Sequence, residues 1–192
     1  MQSAQADFPK FQRRVSTRRA GFDPPVHPSP DAPSMSIRED LNIAGRLTLR
    51  MYGADGRLAE ERVAHNDITL KGRELVARLF NADLAATDIP RVSRIVVGGD
   101  DHAFNPADTA LGKRVGSTKI TSIAEETVTD SGGKPRKLLR LTGELREQDS
   151  NAELREAGLF TENEELMYNR VTFKPINKSA EFKLTLVWEI TF

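Results

Sequence analysis

The last eleven residues of the chain alternate between apolar side chains and others with a period of two. The apolar positions are Phe182, Leu184, Leu186, Trp188, Ile190 and Phe192. The positions between them carry Lys183, Thr185, Glu189 and Thr191, with Val187 as the apolar exception. Successive side chains of a β-strand point to opposite faces, so this alternation predicts a long strand with one face in a core. Trp188 belongs to that inward face.

Shorter segments with strand character precede this one. Leu47, Leu49 and Met51 alternate with Thr48 and Arg50, as expected for a half-buried strand. Turn residues such as Gly53–Gly56 and Ser131–Pro135 separate several of these segments. The other predicted strands are at about 58–64, Arg91–Val97, 115–129, 136–146, 153–160 and 166–173.

One helix is predicted between Thr69 and Phe80. Its apolar residues, which share one face at helical spacing, are Leu75, Val76, Leu79 and Phe80. Thr69 or Asp67 is placed to cap its start. About eight strands, one short helix and short turns predict a mainly β protein. For residues 36–192 the expected fold is an antiparallel β-sandwich, jelly-roll-like in its arrangement.

Residues 1–35 differ from this body. They hold six of the ten prolines of the chain, so extended or polyproline-like backbone is expected. The basic side chains of this arm are Lys10, Arg13, Arg14, Arg18 and Arg19, and its flanking aromatic ones are Phe8, Phe11 and Phe22. Such a segment suits a solvated tail, an arm that binds a neighbouring protein, or a contact with nucleic acid. We favour the protein-binding arm, because the remaining chain is slightly acidic, with 23 basic and 25 acidic residues.

Composition excludes several classes of function. There is no cysteine, so disulfide frameworks and thiolate chemistry are impossible. The formal net charge is zero, which argues against a dedicated nucleic-acid binder and favours association. No stretch approaches the roughly 18 apolar residues that span a bilayer, and no apolar run follows Met1, so we expect no membrane partner and no secretory signal.

No credible catalytic set stands out. The sequence lacks the G-x-G-x-x-G, P-loop and G-x-S-x-G patterns. His102 lies near Asp100, Asp101 and Asp108, which could bind a divalent cation, but the spacing matches no known metal loop and a polar loop tip is favoured. We therefore predict no catalytic, metal or cofactor-binding residues, and no enzymatic activity.

Six short motifs follow one another between residues 63 and 192. They are His65-Asn66-Asp67-Ile68-Thr69 with Gly72-Arg73, Ile95-Val96-Val97-Gly98, Asp108-Thr109-Ala110-Leu111-Gly112, Glu156-Ala157-Gly158-Leu159-Phe160, Met167-Tyr168-Asn169-Arg170, and Pro175-Ile176-Asn177-Lys178-Ser179 before Leu186-Val187-Trp188-Glu189-Ile190. Their order resembles that of small tail-associated structural proteins of bacteriophages and related contractile injection particles. The resemblance implies a β-sandwich virion protein used as a collar, cap, baseplate-periphery or fibre-attachment component. Where that family usually has a glutamate after Leu111-Gly112, this chain has Lys113-Arg114.

Physical roles can be assigned to the motif residues. Gly98, Gly112 and Gly158 suit turns or close backbone approach. Loop-pinning hydrogen bonds are expected from His65, Asn66 and Asn177. Glu156 and Arg170, on neighbouring predicted strands, are expected to form an ion pair that fixes the register. A carboxylate pair of Glu153 and Glu156 is rejected, because residues three apart on a strand face opposite sides.

These observations predict a structural adaptor subunit of a phage tail or phage-tail-like contractile particle. It would form a homo-oligomeric ring, contact other particle proteins through its arm, and be assembled in the bacterial cytoplasm. The alternative is a ligand-binding or carbohydrate-binding β-sandwich module, which would present exposed aromatic residues on a concave face.

Overall fold

The computed structural model describes residues 43–192. The predicted arm, residues 1–35, lies outside the described residues, so the arm stays a prediction. Within the described part there are eight strands and one α-helix. In chain order they are β1 (Ala44–Gly53), β2 (Leu58–Ile68), α1 (Leu70–Arg78), β3 (Val92–Gly98), β4 (Arg114–Thr129), β5 (Pro135–Leu145), β6 (Ala152–Thr161), β7 (Met167–Lys178) and β8 (Phe182–Thr191), with a 3-10 turn at Ala86–Asp88 before β3. Each predicted strand and the helix are confirmed, with β2 and β7 longer than expected.

The sheet closes on itself, so the predicted β-sandwich is wrong. The strand order around the closed barrel is β1-β2-β7-β6-β3-β4-β5-β8, and every neighbouring pair is antiparallel. Inner and outer side chains alternate in a barrel as they do in a sandwich, which is why the sequence pattern did not separate the two folds. Mainly β architecture with a single short helix is confirmed.

The barrel closes through a narrow contact between β2 and β7. Asp67 pairs with Arg170, and Ile68 pairs with Asn169. By contrast, β1 and β8 pair along ten consecutive positions, from Ala44 opposite Thr191 to Gly53 opposite Phe182. The first part of β2 therefore diverges from β7 while remaining bonded to β1.

Inward side chains of all eight strands fill the barrel. Trp188 is fully buried, as predicted, and so are Leu47, Leu159 and Leu186. The larger buried core includes Leu47, Leu49, Ile95, Val97, Leu145, Leu154, Leu159, Ile176, Leu184, Leu186 and Trp188. Burial of a large aliphatic or aromatic side chain contributes roughly 1.5–3 kcal/mol, so the barrel needs no disulfide to be stable.

Helix α1 begins at one end of the barrel. The Thr69 hydroxyl accepts a hydrogen bond from the Gly72 amide at 2.9 Å and donates one to the Met167 carbonyl, which caps the helix and ties it to β7. The four apolar residues that share one face at helical spacing differ in their burial. Leu75 is buried, whereas Leu79 and Phe80 are exposed.

Within residues 43–192, no helix has the length and apolar character required to cross a membrane.

Candidate functional site

A buried polar cluster lies on the outer face of β6 and β7, beneath the loop of residues 99–113. The Glu156 carboxylate accepts hydrogen bonds from the backbone amides of Asp100, Gly112 and Lys113, at 3.3, 3.1 and 2.9 Å. Each amide belongs to that loop, so a single carboxylate holds both ends of it against the barrel. Lys113 therefore contributes through its backbone, and the glutamate expected after Gly112 is not required for this contact.

Arg170 completes the cluster. Its Nε donates to Oε2 of Glu156 at 2.9 Å, and both side chains are 0% exposed. Its Nη1 also donates to Asp108 Oδ2 and to the His102 carbonyl, each at 3.2 Å. The predicted ion pair between Glu156 and Arg170 is confirmed. Glu153 is exposed, whereas Glu156 is buried. A register shift between Leu154 and Glu156 places Leu154 and Ala157 both in the core, so Glu153 and Glu156 share the outer face and the opposite-face argument was wrong.

His102 lies at the edge of this cluster. Its Nδ1 is 3.0 Å from Asp100 Oδ2 and 3.1 Å from Arg170 Nη2. The carboxylate can only accept and the guanidinium can only donate, so Nδ1 satisfies one of them at a time. Hydrogen bonding to His102 lowers the pKa of the Asp100 carboxyl. The described residues contain no group of three potential ligands that could hold a metal ion. The cluster is thus suited to fixing the loop.

Two other motif residues meet inside the barrel. Trp188 Nε1 donates to Asn66 Oδ1 at 2.8 Å, across 122 positions of sequence. The Asn66 side chain occupies the space above Gly45, where a Cβ would collide with it. Asn66 was expected to pin a loop, but it lies within β2 and fixes the tryptophan instead.

The expected hydrogen bonds of His65 and Asn177 are wrong. His65 is exposed within β2, Asn177 is exposed within β7, and neither side chain bonds to any of residues 43–192.

The residue that sequence reasoning missed is Lys178, whose buried Nζ donates to the Glu147 carbonyl, Asn151 Oδ1 and the Ser179 carbonyl at 2.9–3.1 Å. Burial lowers the pKa of Lys178. Lys178 lies two positions after the buried Ile176, and residues two apart on a strand share a face. This spacing was the signal in the sequence that could have indicated its burial.

The predicted close approaches of the motif glycines are confirmed. A Cβ at Gly158 would lie 2.8 Å from the Asn169 carbonyl oxygen, a backbone atom of the neighbouring strand. Gly98 and Gly112 leave room for the carboxylates of Glu156 and Asp100 respectively. These glycines therefore allow the polar cluster to pack against the sheet.

A charged group on the outer face joins three strands. Glu189 of β8 accepts hydrogen bonds from Arg46 of β1 at 2.9 Å and from Arg140 of β5 at 3.1 Å. Burial acts to raise the pKa of Glu189, but the hydrogen bonds from the two arginines outweigh it and the net pKa is lowered. This group links the strands that flank the C-terminal strand.

The open end of the barrel holds an apolar cavity of about 450 Å³. Helix α1, the segment leading into β3, and strands β4, β5 and β8 surround it. Its lining is aliphatic or aromatic apart from Arg91, and it comprises Leu75, Val76, Leu79, Ala86, Ile89, Pro90, Arg91, Val92, Ile123, Leu139, Leu141, Leu159, Tyr168, Ile190 and Phe192. Burial raises the pKa of the Tyr168 phenol, so it stays neutral at physiological pH.

Exposed apolar side chains border this cavity. Ile123 is 62% exposed, Leu79 64% and Phe192 37%, and all three line it. Phe80, next to Leu79 at the end of the helical turn, is 84% exposed. We call the cavity and these four residues the apolar end of the barrel. No sequence pattern indicated it, because periodicity predicts which residues share a face and not what covers them.

Comparison of the chain with protein-family models, curated proteins and solved structures finds no match.

Proposed function

We propose that the chain is a structural adaptor subunit of a phage tail or phage-tail-like contractile particle, serving as a collar, cap, baseplate-periphery or fibre-attachment component. The observation that carries the proposal is the apolar end of the barrel. Large exposed apolar side chains surrounding an open apolar cavity are costly to leave in water and mark surfaces that bind other proteins. The order of the six motifs, which resembles that of phage tail-associated proteins, supports the choice of particle.

The motif residues support a structural role in the described part of the chain. Glu156 and Arg170 satisfy each other and hold a loop, and Asn66 fixes Trp188. The carboxylate of Glu156, the guanidinium of Arg170 and the Asn66 Oδ1 are engaged in bonds within the described residues, whereas Asn66 Nδ2 is buried without a partner among them. A subunit that must transmit force between neighbours benefits from such fixed connections, since a rigid barrel keeps its docking surfaces in a constant geometry.

The alternative of a carbohydrate-binding module receives less support. Sugar rings bind on exposed aromatic faces, and the single tryptophan, Trp188, is wholly buried. The exposed aromatic residues at the apolar end, Phe80 and Phe192, stand among mainly aliphatic side chains, where only Arg91 and Tyr168 of the cavity lining carry hydrogen-bonding side-chain groups.

In this proposal the subunits form a closed ring, because a repeated contact between identical chains around a tail axis closes by rotation. The arm of residues 1–35 binds neighbouring subunits, and the particle is assembled in the bacterial cytoplasm. A net charge of zero removes electrostatic repulsion between the copies.

The test is incorporation into the particle. The chain would be produced together with the products of its neighbouring genes, and particles would be separated on a density gradient. We expect the full chain to migrate with the particles and a chain lacking residues 1–35 to remain at the top of the gradient. A full chain that never enters the particle fraction would contradict the proposal.

A further inference from the structure

The chain enters the barrel at the apolar end. Ala44, the first residue of β1, pairs with Thr191 of β8, next to Phe192. The residue before it, Ile43, packs against the core. Phe192 and Ile190 line the apolar cavity, so Ile43 and the start of β1 lie at the same end of the barrel as the cavity.

The exposed apolar side chains around the cavity argue against a small molecule as its best occupant. A cavity of about 450 Å³ has the size of a ligand pocket. A ligand confined to the cavity, however, would leave Phe80, which does not line the cavity, in water, and would cover only part of Leu79 and Ile123, which are 64% and 62% exposed. A protein segment that both enters the cavity and lies across the rim would cover them together.

The concave shape of the cavity favours an occupant that projects apolar side chains, such as a chain segment with spaced aromatic residues. The chain has such a segment in residues 8–22, which carry Phe8, Phe11 and Phe22 and lie outside the described residues.

We propose that phenylalanines of the N-terminal arm of a second copy insert into the apolar cavity and cover its rim. This inference rests on the proposed function, in which arms join neighbouring subunits, and it names the site where they bind. Phe22 lies 21 residues before Ile43. An extended chain of that length spans up to ~70 Å, which is enough to reach an adjacent barrel. Aromatic anchors in apolar pockets supply most of the affinity at protein interfaces.

The absence of cysteine from the sequence allows a direct test by disulfide trapping in the full chain. One copy would carry Gln12→Cys, beside Phe11, which leaves all three phenylalanines in place. A differently tagged copy would carry Ala86→Cys, a small exposed residue that lines the cavity. The matched control is Ala54→Cys, an exposed alanine in the turn after β1, at the opposite end of the barrel.

We expect mild oxidation of the mixed copies to yield at least tenfold more disulfide between Gln12→Cys and Ala86→Cys chains than between Gln12→Cys and Ala54→Cys chains. Replacing Phe8, Phe11 and Phe22 by serine in the Gln12→Cys chain should reduce the yield to that of the control. These substitutions fall outside residues 43–192, which supply all eight paired strands.

Equal yields with Ala86→Cys and Ala54→Cys would overturn the inference. So would a disulfide that forms only within a chain carrying both Gln12→Cys and Ala86→Cys, since the arm would then occupy its own barrel. Native mass spectrometry that finds an apolar small molecule retained in the cavity would overturn it as well. If trapping fails while the full chain still joins particles, the docking site is wrong and the adaptor function stands. If trapping succeeds while the chain never joins particles, the docking site stands and the adaptor function is wrong.

Discussion

Arg170 Nε donates to Glu156 Oε2 at 2.9 Å, and neither side chain has any exposed surface. The pair sits between two strands and the loop of residues 99–113, whose backbone amides also bond to Glu156. A buried charge is tolerated only when a partner and hydrogen bonds compensate for lost hydration. The loop therefore stays closed as long as both charges are present.

We predict that Arg170→Met lowers the free energy of unfolding by about 3–5 kcal/mol, because it leaves the Glu156 carboxylate buried without its counter-charge. The double substitution Glu156→Gln with Arg170→Met should cost clearly less than the sum of the single substitutions. Urea unfolding followed by circular dichroism measures all three values.

The matched control is Arg155→Met in β6, since Arg155 pairs with exposed Glu153 at 2.8 Å and with exposed Asp101 of the same loop at 2.7 Å. Exposed pairs contribute about 0–1 kcal/mol, so this change should be small. Equal effects for Arg155→Met and Arg170→Met would show that the buried pair does not hold the loop.

Asn66→Ala is expected to destabilise the barrel by about 1–3 kcal/mol, because the Trp188 indole N–H would lose its acceptor within the core. Asn177→Ala is the matched control, since this exposed side chain makes no hydrogen bond with the described residues. Its effect should be within about 0.5 kcal/mol. Thermal unfolding of both variants measures the loss of stability. A larger loss for Asn177→Ala than for Asn66→Ala would contradict the role of Asn66 in fixing Trp188.

The Glu189 group predicts a dependence of stability on pH. A carboxyl whose pKa is lowered by folding stabilises the protein above its unfolded pKa of about 4.3, and this contribution is lost as pH falls through the lower folded pKa. Glu189→Gln should therefore reduce stability at pH 7 and make the decline between pH 5 and pH 3 shallower. Denaturant unfolding at several pH values tests this, with Glu125→Gln, an exposed glutamate of β4, as control. Parallel profiles for the Glu189→Gln and unchanged chains would refute the role of Glu189.

The rim of the apolar end offers a variant that separates assembly from folding. Ile123→Asp should leave the unfolding temperature nearly unchanged, because Ile123 is already 62% exposed, while reducing the oligomer mass in solution. Val63→Asp, at a residue 53% exposed on β2, should alter neither quantity. Sedimentation velocity at several concentrations measures the mass. Loss of the oligomer with both variants would show a general effect of added charge.

The strands were predictable because alternation is a local property, visible in Phe182–Phe192 and in Leu47–Met51. Closure of the barrel was not, since it depends on Asp67 and Ile68 meeting Arg170 and Asn169 about a hundred positions later. Nothing in the alternation of either strand indicates which distant strand lies beside it.

The candidate site was also predictable only in part. The pairing of Glu156 with Arg170 followed from opposite charges on adjacent strands, whereas the amides that complete it belong to a loop without a recognisable pattern. The helical spacing of Leu79 and Phe80 was visible, but α1 ends at Arg78 and both residues are exposed, which the spacing did not indicate. The arm was recognised from its prolines and basic residues, and its role is still a prediction.

The most direct test of the adaptor function is the solution mass of the full chain compared with that of a chain lacking residues 1–35, measured by light scattering. All eight strands pair within residues 43–192, so the shortened chain should keep its circular dichroism spectrum and unfolding temperature. We predict an oligomer for the full chain and a monomer for the shortened chain. The same oligomeric state for both chains, whether monomer or oligomer, would contradict the claim that the arm joins neighbouring subunits.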